Sequence, residues 1–204
     1  MKTYCRHPFK KYAQVRVINP CGPDHKGAKD LNFVNMPYGE PVYAMESGHV
    51  AEIRRNLPHS SNPADLPNNV VIRGSDQFYT EYAHITPVSK APNHARPGSV
   101  LYWMGYNRPL TIGSVIREGD LIGYVDNSGR TVGDPHVHIN RYTPGEAASL
   151  HDRPSPCDWT IRGVDAVAIP LHCLPALQHG IIPHRMNYYQ WIIDNELRRR
   201  FGVY

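Results

Sequence analysis

Short segments of alternating apolar and polar residues run through residues 15–142, and turn residues separate them. Residues 41–45 and 49–53 flank a Ser-Gly pair, which is typical of a β-hairpin. In residues 78–84, every second side chain lies on one face of an extended strand. No helical period is convincing over four turns in this region. The pattern therefore predicts a mainly β core of antiparallel strands.

Two stretches between the predicted strands are long and contain three prolines each. They cover residues 57–67 and 91–113. Long loops of this kind form the rims of binding sites, and they also occur as variable decoration. The sequence leaves both interpretations open.

The pattern changes after residue 148. Prolines interrupt the chain as far as residue 183, and apolar residues then recur at steps of three and four. This spacing predicts one face of a helix, formed by Met186, Tyr189, Ile193, Leu197 and Phe201. We therefore expect two parts, a β core at 1–148 and a Pro-rich, helical C-terminal appendage at 149–204 that packs on the core.

Composition and charge exclude several classes of protein. The 204 residues include 41% hydrophobic and 20% charged side chains, which is too apolar for a disordered chain. No apolar run approaches the ~18 residues of a membrane-spanning helix. A net charge of +4 without a dense basic face gives no support to a nucleic-acid partner. The first residues lack the apolar core of a secretory signal, so we expect a mature form, or delivery by a phage particle or secretion machinery.

The four cysteines contain no C-x-x-C pair, so a zinc ribbon or thioredoxin motif is unsupported. Neighbouring cysteines are 16 residues apart at both ends, which favours the local disulfides Cys5–Cys21 and Cys157–Cys173. Loops of this size contribute about 3 kcal/mol each to stability. The other connectivities, and four free thiols, stay open. Disulfides would indicate an oxidising compartment.

Three histidines and one aspartate suggest metal chemistry. His136 and His138 share one face of a strand, so that one imidazole can bind a metal while the other acts as an acid or base. His25 and Asp30 add a nitrogen and an oxygen donor in a turn that contains glycine. A catalytic zinc needs three such ligands and an open position for water, whose pKa the metal lowers to about 7.

Besides these three histidines and His84, the chain has eight that lack a partner pattern, and we expect surface or packing roles for them: His7, His49, His59, His94, His151, His172, His179 and His184. A second metal site formed by His172, Cys173 and His179 is a weaker alternative.

Five motifs follow one another along the chain: His25-x-Gly27 with Asp30, the segment 39–50, Tyr82-Ala83-His84, the segment 118–123, and His136-Val137-His138. Their order and spacing resemble the lysostaphin/LytM-type zinc metallopeptidases, over about residues 15–142. The resemblance implies a sandwich-like fold of antiparallel sheets that form a groove, the duplicated hybrid motif fold. It also implies Zn²⁺ as the cofactor.

Matching positions with this family implies a role for each site residue. His25, Asp30 and His138 would be the zinc ligands, and His136 and His84 the catalytic histidines. One neutral imidazole would take a proton from the attacking water, and the other, protonated, would stabilise the oxyanion. The sequence does not decide which histidine does which.

The chain departs from the family pattern at one point. Four residues separate His25 from Asp30, where the family usually has three. One extra residue in a regular strand would turn a side chain to the opposite face. We therefore expect a bulge or loop at Gly27 that restores convergence, with Asp24 as the alternative oxygen donor.

The resemblance implies a zinc endopeptidase that cuts peptide cross-links of bacterial peptidoglycan, in an extracellular or periplasmic location. Two alternatives stay open: a non-catalytic zinc-binding or regulatory protein on the same scaffold, and a metalloprotease that acts on ordinary proteins. The presence of both His84 and His136 disfavours the non-catalytic alternative.

Overall fold

The computed structural model of the protein describes residues 1–9, 14–145, 150–165 and Cys173. The helix predicted between Met186 and Phe201 lies outside the described residues, and so do His172 and His179. The division of the chain after residue 148 therefore stays a prediction.

Twelve short strands and little helix make up the described chain, which confirms the predicted mainly β, antiparallel core. In chain order the strands are β1 (Lys2–Tyr4), β2 (Arg16–Asn19), β3 (Lys29–Asn32), β4 (Pro41–Tyr43), β5 (Gly48–Arg54), β6 (Asn69–Gly74), β7 (Tyr79–Ala83), β8 (Ile85–Pro87), β9 (Val115–Ile116), β10 (Leu121–Val125), β11 (Val137–Tyr142) and β12 (Trp159–Ile161). The helix α1 spans Val100–Tyr106, and single 3₁₀ turns span Pro23–His25 and Leu150–Asp152. Within the described residues, no helix combines the length and the apolar character that crossing a membrane requires.

The strands form one large sheet, one small sheet and an isolated pair. The seven-stranded sheet has the order β2-β3-β11-β7-β6-β5-β9 with antiparallel neighbours, and the three-stranded sheet has the order β4-β10-β8. Ile72 and Ile139 of the large sheet belong to the same buried cluster as Val42 and Ile122 of the small one. The two sheets therefore enclose one hydrophobic core.

Strand β11 shows how the alternation of side chains divides the core from the outer face of the large sheet. Val137 and Ile139 are fully buried in the hydrophobic cluster. Their neighbours His138 and Asn140 line a groove on the opposite face, together with Tyr142. A period of two residues is the ordinary geometry of a strand, and here it places the polar residues of β11 in one row.

The disulfide pairing differs from the local one that the spacing favoured. Cys5 is bonded to Cys173 and Cys21 to Cys157, across sequence separations of 168 and 136 residues. The physical reason is tertiary, because β1 pairs in parallel with β12 and brings the two ends of the described chain together. Since the sulfur of Cys173 is bonded to Cys5, it is not a free thiolate for a second metal site.

Candidate metal centre

Asp30 and His138 face each other across the β3–β11 pair. They are direct partners in the antiparallel register, so their side chains lie on the same face of the sheet. His138 Nδ1 lies 2.9 Å from Asp30 Oδ1. The register of these two strands thus joins residues that are 108 positions apart in the sequence.

His25 reaches the same carboxylate from the 3₁₀ turn that precedes β3. Its Nε2 lies 3.2 Å from Asp30 Oδ2. Lys26 and Gly27 follow with φ values of 49° and 81°, and two successive left-handed residues turn the chain into the strand. This turn absorbs the extra residue between His25 and Asp30, where the sequence predicted a loop or bulge.

Gly27 is required in this turn for two reasons. Its positive φ is unfavourable for a residue with a Cβ. A Cβ built on Gly27 would also lie only 1.9 Å from the backbone oxygen of Ser155. The segment around Ser155 therefore packs directly against the turn that carries His25.

The three predicted ligand residues His25, Asp30 and His138 are thus brought together. Their ligand atoms all lie within 4.8 Å of one another. Two imidazole nitrogens and one carboxylate oxygen are a donor set that suits a catalytic zinc with an open coordination position. The side chain of the alternative donor, Asp24, lies outside the described part of the structure.

The electrostatics of the cluster keep its carboxylate ionised. Burial raises the pKa of Asp30, but hydrogen bonds from His138 and His25 outweigh burial and hold that pKa well below its usual range. The hydrogen bond to Asp30 in turn raises the pKa of His25. A negative charge flanked by two imidazoles is a favourable position for a divalent cation.

His84 and His136 stand beside this cluster, and each is held by a backbone carbonyl. His84 Nδ1 lies 2.8 Å from the oxygen of Ser128, and His136 Nδ1 lies 2.9 Å from the oxygen of Asp134. Because a carbonyl oxygen only accepts hydrogen bonds, Nδ1 donates in both rings. In the neutral form of each ring, Nε2 therefore carries the free lone pair.

Both histidines are close enough to act together. Their ring centroids are 5.0 Å apart, and His136 Nε2 lies 3.9 Å from Asp30 Oδ1. Burial lowers the pKa of His84 to about 4, so its imidazole is neutral at pH 7. His84 also has a φ of 59°, a strained value for this residue that the fold maintains beside the site.

The histidine cluster lies in a groove of about 1110 Å³. One side of the groove is formed by the predicted loop 57–67, through Pro63, Asp65, Leu66 and Pro67. The other predicted loop, 91–113, contributes none of the described residues that line the groove. Only the first loop therefore fits the interpretation as a rim.

A second group with metal-ligand chemistry lies farther along the groove face. The ligand atoms of Glu52, Glu81 and His151 are also within 4.8 Å of one another. Here, however, Arg54 Nη2 donates to Glu81 at 2.8 Å, and Arg54 Nε lies 3.3 Å from Glu52. The guanidinium already supplies the positive charge that a metal would bring, so this group is an internal ion-pair network.

The sequence alone missed this network because its members are far apart in the chain. His151 was expected at the surface or in simple packing, whereas its Nε2 lies 3.4 Å from Glu52 and its Nδ1 3.1 Å from the Tyr142 hydroxyl. The sequence contained one indication of its position: the alternation of side chains along the strand places Glu81 and Ala83 on one face, and both line the groove.

Comparisons with known proteins give structural matches only. No protein-family model matches the chain, and no curated protein matches it in sequence. A zinc-containing peptidase from Vibrio cholerae is 23% identical, with a TM-score of 0.42, and the match covers 67% of this chain and 35% of that one. The present chain thus spans little more than a third of the length of the Vibrio protein.

Two further matches cover most of the other chain. The catalytic domain of the antimicrobial peptidase lysostaphin from Staphylococcus simulans is 19% identical over 74% of this chain and 83% of that one, with a TM-score of 0.40. A variant catalytic domain of the prophage-encoded M23 protein EnpA from Enterococcus faecalis shows the same identity and coverage, with a TM-score of 0.42. These proteins belong to the kind that the motifs resemble, but similarities of this size do not by themselves assign an activity.

Proposed function

We propose that this chain is a zinc-dependent endopeptidase of the lysostaphin/LytM type and that it hydrolyses peptide cross-links of bacterial peptidoglycan. One observation carries the proposal: His25, Asp30 and His138 have their ligand atoms within 4.8 Å of one another, and the imidazoles of His84 and His136 lie next to this group in the groove. Three ligands with two adjacent bases are the set that metal-assisted peptide hydrolysis needs.

The ligand set fits zinc, which would polarise the scissile carbonyl and make a water molecule acidic enough to attack at neutral pH. Asp30 supplies the single negative charge among the ligands and is held between His25 and His138. The two imidazoles fix the carboxylate orientation from both sides.

His136 acts as the general base, since its Nε2 lies 3.9 Å from Asp30 Oδ1. Its Nδ1 is held by the Asp134 carbonyl, so Nε2 accepts the proton that the attacking water loses and then returns it to the leaving amine. His84 is neutral at pH 7 and its Nδ1 is held by the Ser128 carbonyl, so its Nε2 lone pair is free to orient the reacting groups.

The choice of peptidoglycan as substrate rests on the family resemblance of the motifs and on the open groove. An extracellular or periplasmic location is supported by the two disulfides, since such bonds persist mainly in oxidising compartments. A substrate in the cell wall lies in the same compartment.

The test is the release of free amino groups from purified peptidoglycan of Gram-negative and Gram-positive type. The protein is assayed as isolated, after chelation, and after zinc is restored. We expect release that disappears on chelation and returns with zinc, and amino-acid analysis of the new ends then names the bond.

Two other outcomes would redirect the proposal. Release from a denatured protein substrate but from neither wall would indicate a metalloprotease acting on ordinary proteins. No release from any substrate, with zinc bound at the site, would contradict hydrolysis and indicate a binding or regulatory protein.

A further inference from the structure

Helix α1 exposes a row of large apolar side chains. Val100, Leu101, Trp103 and Met104 retain between 65% and 74% of their accessible surface. At 100° per residue these four positions fall on one side of the helix. An apolar face of this kind on a protein surface marks a site of interaction rather than ordinary surface composition.

The base of this loop is fixed to the body of the protein, so α1 is held in a defined place. Ala91 N donates to the oxygen of Arg108 at 2.9 Å, which closes the loop. Leu110 is 2% exposed in the core, and Arg55 Nη2 donates to its carbonyl oxygen at 3.1 Å. The exposed face of α1 therefore projects from an anchored loop.

The stretch of chain that carries α1 is basic, and one acidic side chain from outside it, Asp120, lies 2.9 Å from His94 Nε2. Residues 82–117 contain no aspartate or glutamate. They contain four Lys or Arg residues, all exposed: Lys90, Arg96, Arg108 and Arg117. An apolar helix in a basic surrounding is typical of segments that lie on membrane surfaces.

We propose that α1 inserts its apolar face into the interface of a lipid bilayer that contains anionic lipids. A helix of seven residues is about 10 Å long, which suits the interfacial layer and is far too short to span. Trp103 is of the residue type that favours this layer. The exposed basic residues that flank the helix in the chain add attraction to anionic headgroups.

The position of the loop agrees with this proposal and separates it from hydrolysis. The described residues that line the groove include none from 91–113. The proposal therefore does not depend on the function proposed for the groove.

The first test is cosedimentation of the full chain with vesicles. We compare phosphatidylcholine vesicles with vesicles that also contain phosphatidylglycerol, at low and high salt. We expect binding to the anionic vesicles that weakens with salt. The double variant Leu101→Ser/Trp103→Ser should have an affinity for anionic vesicles that is lower by about ten-fold or more, because the apolar contact is lost.

A matched control removes two exposed apolar side chains elsewhere. Val34 and Tyr38 are 63% and 50% exposed. Val34→Ser/Tyr38→Ser should bind vesicles as the unmodified protein does. All four positions are exposed, so both double variants should keep the thermal midpoint of unfolding, which is checked by circular dichroism.

The second test separates the contributions of charge and insertion. Arg96→Gln/Arg108→Gln should lower the affinity for anionic vesicles about ten-fold. The fluorescence emission of Trp103 should shift to the blue on binding, and Trp103→Phe should remove that shift while leaving binding largely intact.

Three results would overturn the proposal. One is no binding to any vesicle, and another is equal binding by Leu101→Ser/Trp103→Ser. The third is a concentration-dependent dimer of the unmodified protein that the double variant abolishes, because α1 would then be covered by a second copy of the chain.

Discussion

Asp30 and His138 are direct register partners on neighbouring antiparallel strands, and their side chains meet at 2.9 Å. Two of the three proposed zinc ligands are thus fixed by backbone hydrogen bonds of a sheet rather than by loops. A rigid support of this kind holds ligands in place before the metal arrives. The third proposed ligand, His25, is held by the turn before β3. Changes to that turn should therefore weaken zinc binding.

Replacing Asp30 by Asn keeps the size of the side chain and removes the only negative charge among the proposed ligands. We expect the affinity for zinc, measured by isothermal titration calorimetry, to fall by more than about 100-fold. Asp65→Asn, on the exposed rim of the groove, is the control and should bind zinc normally. If Asp30→Asn keeps full affinity while Asp24→Asn loses it, the oxygen ligand is Asp24.

The two adjacent histidines should matter for turnover and not for metal content. His136→Asn and His84→Asn are expected to retain zinc and to lower the rate of peptidoglycan hydrolysis by about 10²- to 10⁴-fold. Asn is chosen because it tolerates the φ of 59° at His84. His49→Asn, at an exposed histidine that does not line the groove, is the control. Unchanged rates in both variants would exclude a proton-transfer role.

Gly27→Ala should damage the turn that carries His25. The strain of a positive φ costs about 1–2 kcal/mol, and the clash with Ser155 adds about 1–3 kcal/mol. Gly39→Ala is a matched control, since Gly39 has a φ of 84° and nothing within 4 Å of the added Cβ. Denaturant unfolding should show the larger loss for Gly27→Ala, and this variant alone should bind zinc more weakly.

The two disulfides should differ in their effect on the metal. Removing either bond, as Cys5→Ser/Cys173→Ser or Cys21→Ser/Cys157→Ser, should lower the free energy of unfolding by about 2–5 kcal/mol. Cys157 lines the groove, and Cys21 precedes the turn that contains His25. We therefore expect calorimetry to show weaker zinc binding only when Cys21–Cys157 is lost. Equal affinities in both variants would contradict this link.

Arg54 should be essential to the charge network of Glu52, Glu81 and His151. Glu81 retains 4% of its side-chain exposure, so Arg54→Met removes the guanidinium that pairs with a buried carboxylate and should cost about 3–5 kcal/mol. We expect metal analysis to find one zinc in the unmodified protein. Excess zinc should partly restore the stability of Arg54→Met. Two zinc ions in the unmodified protein would show that this group is a metal site after all.

Much of the core, and the grouping of the proposed metal ligands, could be predicted from local patterns. The alternation predicted for residues 136–140 placed His136 and His138 near each other, because side chains two residues apart in a strand share a face; in the structure His136 directly precedes β11, and both histidines line the groove. The sequence also predicted that a bulge or loop at Gly27 would accommodate the extra residue before Asp30, since glycine accepts a left-handed backbone.

The failures came from contacts between distant parts of the chain. The equal spacing of the cysteines favoured local bonds, whereas the pairing of β1 with β12 sets Cys5 against Cys173 and Cys21 against Cys157. The two proline-containing loops looked alike in sequence. Of the two, only the loop 57–67 contributes residues to the groove. The position of a loop is set by the strands it connects, and that position cannot be read from the loop sequence.

The sequence by itself therefore determined the strand periodicity, the mainly β class and the chemical types of the proposed ligands, since these depend on residue identity and short-range geometry. Tertiary structure alone decided the disulfide partners, the inclusion of His151 in a charge network and the loop that borders the groove. The physical reason is that these features arise from strand register and chain crossing, which join residues up to 168 positions apart and leave no local signal in the sequence.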